Sequence, residues 1–124
     1  MVVNGALPDA IQLVMKAAAA AQTPADRFRG KLAVAQLCNQ GEQFMVARAA
    51  LEGLDRHVEQ HRLWEWEPEM CVQFYAALYQ AHRGINSAYG AEPPTQEARA
   101  KEMVAFERLC QLDPSAALKF TMGG

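Results

Sequence analysis

Cysteine is scarce in this sequence: Cys38, Cys71 and Cys110 are the only three, odd in number, far apart and outside any C-x-x-C pair. That argues against a disulfide framework and a zinc site, and the three thiols read as small buried hydrophobes. Long apolar runs are missing as well. No stretch reaches the roughly 18 residues a membrane span needs, and the N-terminus lacks a basic region followed by a hydrophobic one, so a soluble cytoplasmic protein without membrane insertion is expected. There is no surplus of positive charge, because 12 Lys and Arg are interleaved with 14 Asp and Glu for a net charge of −2. Without a basic stripe to displace counterions from phosphates, nucleic acid is not an expected partner. Also absent are alternating β-branched runs, a G-x-S-x-G, a phosphate-cradling glycine loop and a dinucleotide fingerprint. Ser87 and Ser115 have no recognisable base partner. No cofactor is expected.

What remains is helical. The chain has 124 residues, 51% apolar and 21% charged, enough to bury one core without staples. The predicted architecture is all-α: one domain over residues 1–124, a compact bundle of about five helices built on antiparallel hairpins. A first helix covers about residues 8–22, where Ala17 to Ala21 offers a smooth surface for a neighbour in the same chain or another. Thr23, Pro24 and Asp26 start a second helix, whose Phe28, Leu32, Ala35 and Cys38 form a stripe. Gly41 ends it, with a left-handed turn expected there. A third helix, about 42–62, carries Phe44, Ala47, Leu51, Leu54 and Val58 inward and Arg48, Glu52 and Arg56 outward. Leu37, Gly41, Phe44 and Ala47 fall roughly where a tetratricopeptide repeat places such residues, but a single pair makes a hairpin and not an array.

A fourth helix follows Pro68 to about residue 83, with Met70, Phe74, Leu78 and Ala81 on one side and Cys71, Tyr75 and Tyr79 beside them. So wide an apolar arc implies contacts on two sides, either as the bundle's central helix or at a subunit interface. Residues 84–94 read as a glycine- and proline-broken loop in which the apolar Ile85 and Tyr89 are candidates to dock on a neighbour. Thr95 caps a fifth helix with Met103, Phe106 and Cys110 on one face, and Asp113-Pro114 opens a last short turn leading to Phe120.

The stretch "HRLWEWEP", His61 to Pro68, is the most distinctive. Proline disfavours helix at Glu67 and starts the next helix in a new direction, so Trp66, Glu67 and Pro68 form a structural corner. Trp66 is placed to act as a hydrophobic staple on Met70 or Cys71, which predicts a cost of about 3 to 5 kcal/mol for Trp66→Ala, more than for Trp64→Ala. Trp64 packs either within the chain or at an interface, where tryptophan is enriched. Glu67 and Glu69 flank the proline, where their charge suits a helix start better than acid–base catalysis. His57 and His61 have the spacing of two metal ligands, but "HVEQH" puts Val58 where a zinc protease has glutamate, so no metal is expected.

These residues carry a resemblance. "LEGLDRHVEQHRLWEWEPEMCVQFYAALYQ" and the later "FERLCQLDPSAAL" resemble the C-terminal region of TssA (ImpA/VasJ-type) proteins of the bacterial type VI secretion system. The shared pattern is Leu54-Asp55, Arg62-Leu63, Trp64 to Pro68, Ala77 to Tyr79 and Leu109 to Pro114, over roughly residues 28–118. The resemblance implies a non-enzymatic assembly protein, the excised oligomerisation core of a longer chain. It further implies a homo-oligomeric ring, a dodecamer of six-fold character, that caps and organises the baseplate, inner tube and contractile sheath. Trp64, Tyr75, Tyr79, Ile85, Tyr89 and Phe120 are the candidates for its oligomer or partner interface. The rival readings are a monomeric tetratricopeptide-like adaptor holding a peptide between the second and third helices, and a metal-dependent hydrolase using His57 and His61.

Overall fold

A computed structural model describes residues 7–20, 23–88 and 93–122. Among them are seven helices and no strand: α1 (Leu7–Ala20), α2 (Pro24–Gln40), α3 (Phe44–His61), α4 (Leu63–Trp66), α5 (Pro68–Ala88), α6 (Gln96–Leu112) and α7 (Pro114–Met122). The all-α class holds, with two elements more than the five expected. One is the four-residue α4 at the tryptophan corner, and the other is α7, where the predicted final turn runs on for nine residues.

Local chemistry sets the helix starts. Thr23 Oγ1 accepts from the Asp26 amide at 3.1 Å with Pro24 at the first helical position, and Thr95 Oγ1 does the same for Ala98 at 3.1 Å. Asp113 Oδ1 accepts from the Ala116 amide at 3.1 Å and so supports the first turn of α7. Each cap satisfies a donor that would otherwise have no intrahelical partner, worth about 1 kcal/mol.

Packing is organised around α5, which touches α2, α3, α4, α6 and α7, while α1 lies on α2. The wide apolar arc thus marks the central helix of the bundle. The predicted α2 stripe of Phe28, Leu32, Ala35 and Cys38 is buried, as are Ala47, Leu51, Leu54 and Val58 of α3. From α5 they meet Met70, Cys71, Phe74, Tyr75, Ala77, Leu78 and Ala81. The α6 face differs from the expected one. Ala105 and Leu109 point inward while Met103 and Val104 are exposed, because the small Ala105 allows α6 close to α5 where a methionine would hold it off. Asn86 ties the same two helices, donating to the Glu102 carboxylate at 2.9 Å and the Ala98 carbonyl at 3.3 Å.

Two glycines act through space rather than through left-handed backbone. Gly41 has an ordinary φ of −86°, and the left-handed residue of the α2–α3 turn is Glu42 at 59°. Gly41 lies against α1, where a Cβ would come 2.6 Å from Leu7 Cδ2 and that side chain would have to shift. Gly84, read from sequence as the start of a loop, is inside α5. It survives in helix because the Phe44 ring covers it, and a Cβ would collide with that ring. Close packing here outweighs glycine's poor helix propensity.

Gly53 supplies the contrast, since a Cβ built there meets nothing within 4 Å. Gly53→Ala is expected to stabilise the protein by about 0.5–1 kcal/mol, and Gly84→Ala to destabilise it by about 1–3 kcal/mol through overpacking. Chemical denaturation of both variants checks the pair, and effects of the same sign would contradict the packing.

Candidate functional site

The corner forms in two steps. Helix α3 ends at His61 because Arg62 adopts a left-handed backbone, φ 48°. One helical turn follows, and Glu67 ahead of Pro68 leaves the helical region, at φ −136° and ψ 64°, and redirects the chain into α5. Arg29 of α2 steadies the corner by reaching Glu67 at 3.5 Å.

Trp66 does not take its expected role, whereas Trp64 follows the first of its two readings and packs within the chain. Trp66 is 77% exposed, which overturns the staple, and Trp64 with Leu63 packs partly buried against the core. The cause is α4 itself: residues two apart on a helix point about 200° apart, so Leu63 and Trp64 face inward and Trp66 is turned out. Its exposure shows that Trp66→Ala removes little packing, so the larger stability loss belongs to Trp64.

The other proposed interface residues are scattered. Tyr75 is 4% exposed, its ring edge-on to Phe74 at 5.0 Å within the core, so it presents almost no surface to a neighbouring chain. Tyr79 sits among Phe106 and Phe120 of its own chain, each with ring centroids at 5.1 Å. Phe120 is thereby engaged within its own chain, at the α5–α7 contact. Ile85 is half-buried on α5 rather than on a loop, and Tyr89 lies outside the described residues. The large apolar side chains turned to solvent are instead Leu13 (72% exposed) and Met15 on α1, Met45 and Val46 on α3, Trp66 on α4, Met103 and Val104 on α6, and Leu118 on α7.

A cleft of about 410 Å³, largely apolar in its lining but rimmed by charged side chains, lies between α3 and α6 with α5 as its floor. Glu52, Asp55 and Glu59 line one bank and Lys101, Val104 and Arg108 the other, with Tyr75, Leu78 and His82 beneath. The spacing that could have revealed it, carboxylates at 52, 55 and 59, was legible as one helix face. Its partners on α5 and α6 were not, because they meet only in three dimensions. Arg108 spans the cleft to Glu59 at 3.9 Å. Burial, reinforced by Glu59 and Glu52 and opposed by Arg108, raises the Asp55 carboxyl above its ordinary value. Burial, then Asp55, pushes the Tyr75 phenol up to about 12.

His57 and His61 stack at 4.4 Å between ring centroids, with Phe28 5.7 Å from His57. Among the described residues no group of three or more His, Cys, Asp or Glu is placed to hold a metal ion, and no helix is long and apolar enough to cross a membrane.

A bundle packed around one central helix, holding bulky apolar side chains outward beside a charge-rimmed cleft, defines a compact all-helical domain. The family model described as "Type VI secretion, EvfE, EvfF, ImpA, BimE, VC_A0119, VasJ" matches residues 1–78, more than half of the chain, and the chain belongs to that family. The matched segment includes α1 and the tryptophan corner and stops within α5, short of the "LCQLDP" element of α6. No curated protein and no solved structure matches the chain.

The histidines give the protein a pH dependence. Burial lowers both: His57 with help from His61 and Lys31, and His82 despite Glu52, with Arg48 and Lys101 acting in the same sense as burial. The folded state therefore holds fewer protons than the unfolded chain near the ordinary histidine value, and stability is lost as pH falls below about 6.5. Thermal midpoints are expected to drop between pH 7.5 and 5.5, with a shallower slope in His82→Gln; an equal slope would place the titration elsewhere.

Proposed function

We propose that this domain is a non-enzymatic structural part of a type VI secretion apparatus that works in the cytoplasm by self-association. Its copies build a ring-forming core that organises the baseplate and the tail tube and sheath. The observation that carries the reading is Trp66, 77% exposed at the α3–α5 corner of a chain that belongs to the type VI secretion family. A single exposed apolar residue needs no explanation, but an indole carried on a short helix, with Leu13 and Met15 likewise presented from α1, is what an assembly interface uses. Two different patches on one chain suit a head-to-tail contact, and such a contact closes into a ring when its rotation permits. A dodecamer of six-fold character is the form we expect. The adaptor reading has less support, because the α2–α3 hairpin is a single unit and a peptide-binding solenoid stacks about three.

Light scattering at micromolar concentration tests the proposal. The wild-type protein is expected at a multiple of its 13.7 kDa chain mass, with six-fold particles by electron microscopy. Trp66→Asp is expected to lower the mass while shifting the thermal midpoint by no more than about 2 °C, since the side chain is not in the core. A monomeric wild-type protein would overturn the assembly reading, and an unchanged mass in the variant would remove Trp66 from the interface.

A further inference from the structure

The α3–α6 cleft has the features of a docking groove, independent of the self-association proposed above. Its three walls present matching rows: residues 52, 55 and 59 on α3, 75, 78 and 82 on α5, and 101, 104 and 108 on α6, each spaced three then four apart. Seven residues of helix rise about 10.5 Å, so the rows run parallel for two helical turns, the length over which an amphipathic helix makes its anchor contacts. Leu78, Ala100, Val104 and Ala105 supply apolar surface along the groove.

Charge and hydrogen bonding say what fits it. Glu52, Asp55, Glu59 and Glu97 line the cleft against only Lys101 and Arg108, leaving negative charge in excess. On the floor, Tyr75 and His82 are 4% and 6% exposed, yet neither the phenol hydroxyl nor the imidazole has a hydrogen-bond partner among the described residues. His82 Nε2 is 4.0 Å from Glu52 Oε1, beyond hydrogen-bonding range. The bodies of both side chains are buried, but their polar atoms are not sealed in the core and keep contact with solvent at the cleft, where an incoming group can reach them. The Tyr75 hydroxyl lies within the electrostatic reach of Asp55, Arg108 and Glu59, the most acidic part of the cleft.

We propose that this groove receives a short amphipathic helix of a partner protein, whose arginine enters between Asp55 and the Tyr75 hydroxyl while apolar neighbours lie along Leu78 and Val104. Arginine fits because its planar fork can donate to a carboxylate and a phenol oxygen at once, which a point-charge ammonium does less well. A lone small cation would leave the apolar rows unused. Asp55 supports the assignment from the side of charge. Burial and its acidic neighbours Glu59 and Glu52 disfavour the charged form of its carboxyl, opposed by Arg108, and an arriving cation would act in the same sense as Arg108.

The probe is a helical alanine-based peptide of roughly 14 residues with leucines along one face and one central arginine, compared with the same peptide carrying glutamine there. Binding is followed through the ring resonances of Tyr75 and His82. The arginine peptide is expected to shift both and to bind at least about tenfold tighter than the glutamine peptide. Asp55→Asn should abolish that preference and at the same time raise the thermal midpoint at pH 7, a combination that a purely structural carboxylate would not give. Tyr75→Phe should weaken the arginine peptide several-fold and leave the glutamine peptide unchanged. Equal binding of the two peptides, no shift at either ring at millimolar peptide, or an unchanged preference in Asp55→Asn would overturn the proposal. So would N-acetyl-arginine amide binding as tightly as the peptide, because the site would then be a small-cation pocket.

Discussion

Everything in this protein is arranged around the burial of α5. Met70, Cys71, Phe74, Tyr75, Ala77, Leu78, Ala81 and His82 are all buried, and no single neighbour could cover so broad an arc. Helices α2 and α3 take one side and α6 and α7 the other. At about 1.5–3 kcal/mol for each large apolar side chain removed from water, this one helix accounts for a major share of the hydrophobic stabilisation. Small residues let its neighbours approach: Ala35 and Cys38 from α2, Ala47 from α3, Ala105 from α6 and Ala117 from α7. The Phe44 ring over Gly84 and Leu7 against Gly41 are the same device used at the ends of helices.

The polar groups follow from that arrangement. A helix surrounded on most sides has few directions left for its hydrophilic residues, so Tyr75 and His82 open toward the gap between α3 and α6. Because α3 brings three carboxylates to the same gap, the floor and one bank share an excess of negative charge that Arg108 offsets only in part. The raised Asp55 carboxyl and Tyr75 phenol are thus consequences of the packing.

The sequence disclosed the helical layout more completely than the surfaces. Phe28, Leu32, Ala35 and Cys38 recur at helical spacing, and Thr23 and Thr95 sit where capping oxygens belong, so α2 and the start of α6 could be read directly. Periodicity failed where bulk and burial diverge. Met103 looks like core and is exposed, while Ala105 looks neutral and is buried. Gly84 looks like a breaker and is a contact. The corner was legible from Pro68, but not the turn of α4 that faces Trp64 inward and Trp66 outward, since four residues carry too little periodicity to fix a face. The cleft required α3, α5 and α6 to be set side by side, and one-dimensional spacing holds only one bank of it.

The outward-facing apolar residues bear on how such a chain assembles. Leu13 and Met15 lie on α1, which packs on α2, whereas Met103 and Val104 lie on α6, which packs on α5 and α7. Trp66 is on neither, standing at the corner between α3 and α5. Folding buries the surplus of a single continuous face readily, by closing it against one more helix. Patches on separate elements cannot all be covered that way within one small bundle, and a two-fold contact covers two unlike patches only where both lie on the single face it uses. Contacts between unlike patches use two at once and repeat from copy to copy. A corner tryptophan and an apolar α1 face on separate elements are therefore the surfaces on which the proposed self-association would draw, and the α3–α6 cleft is separate from both.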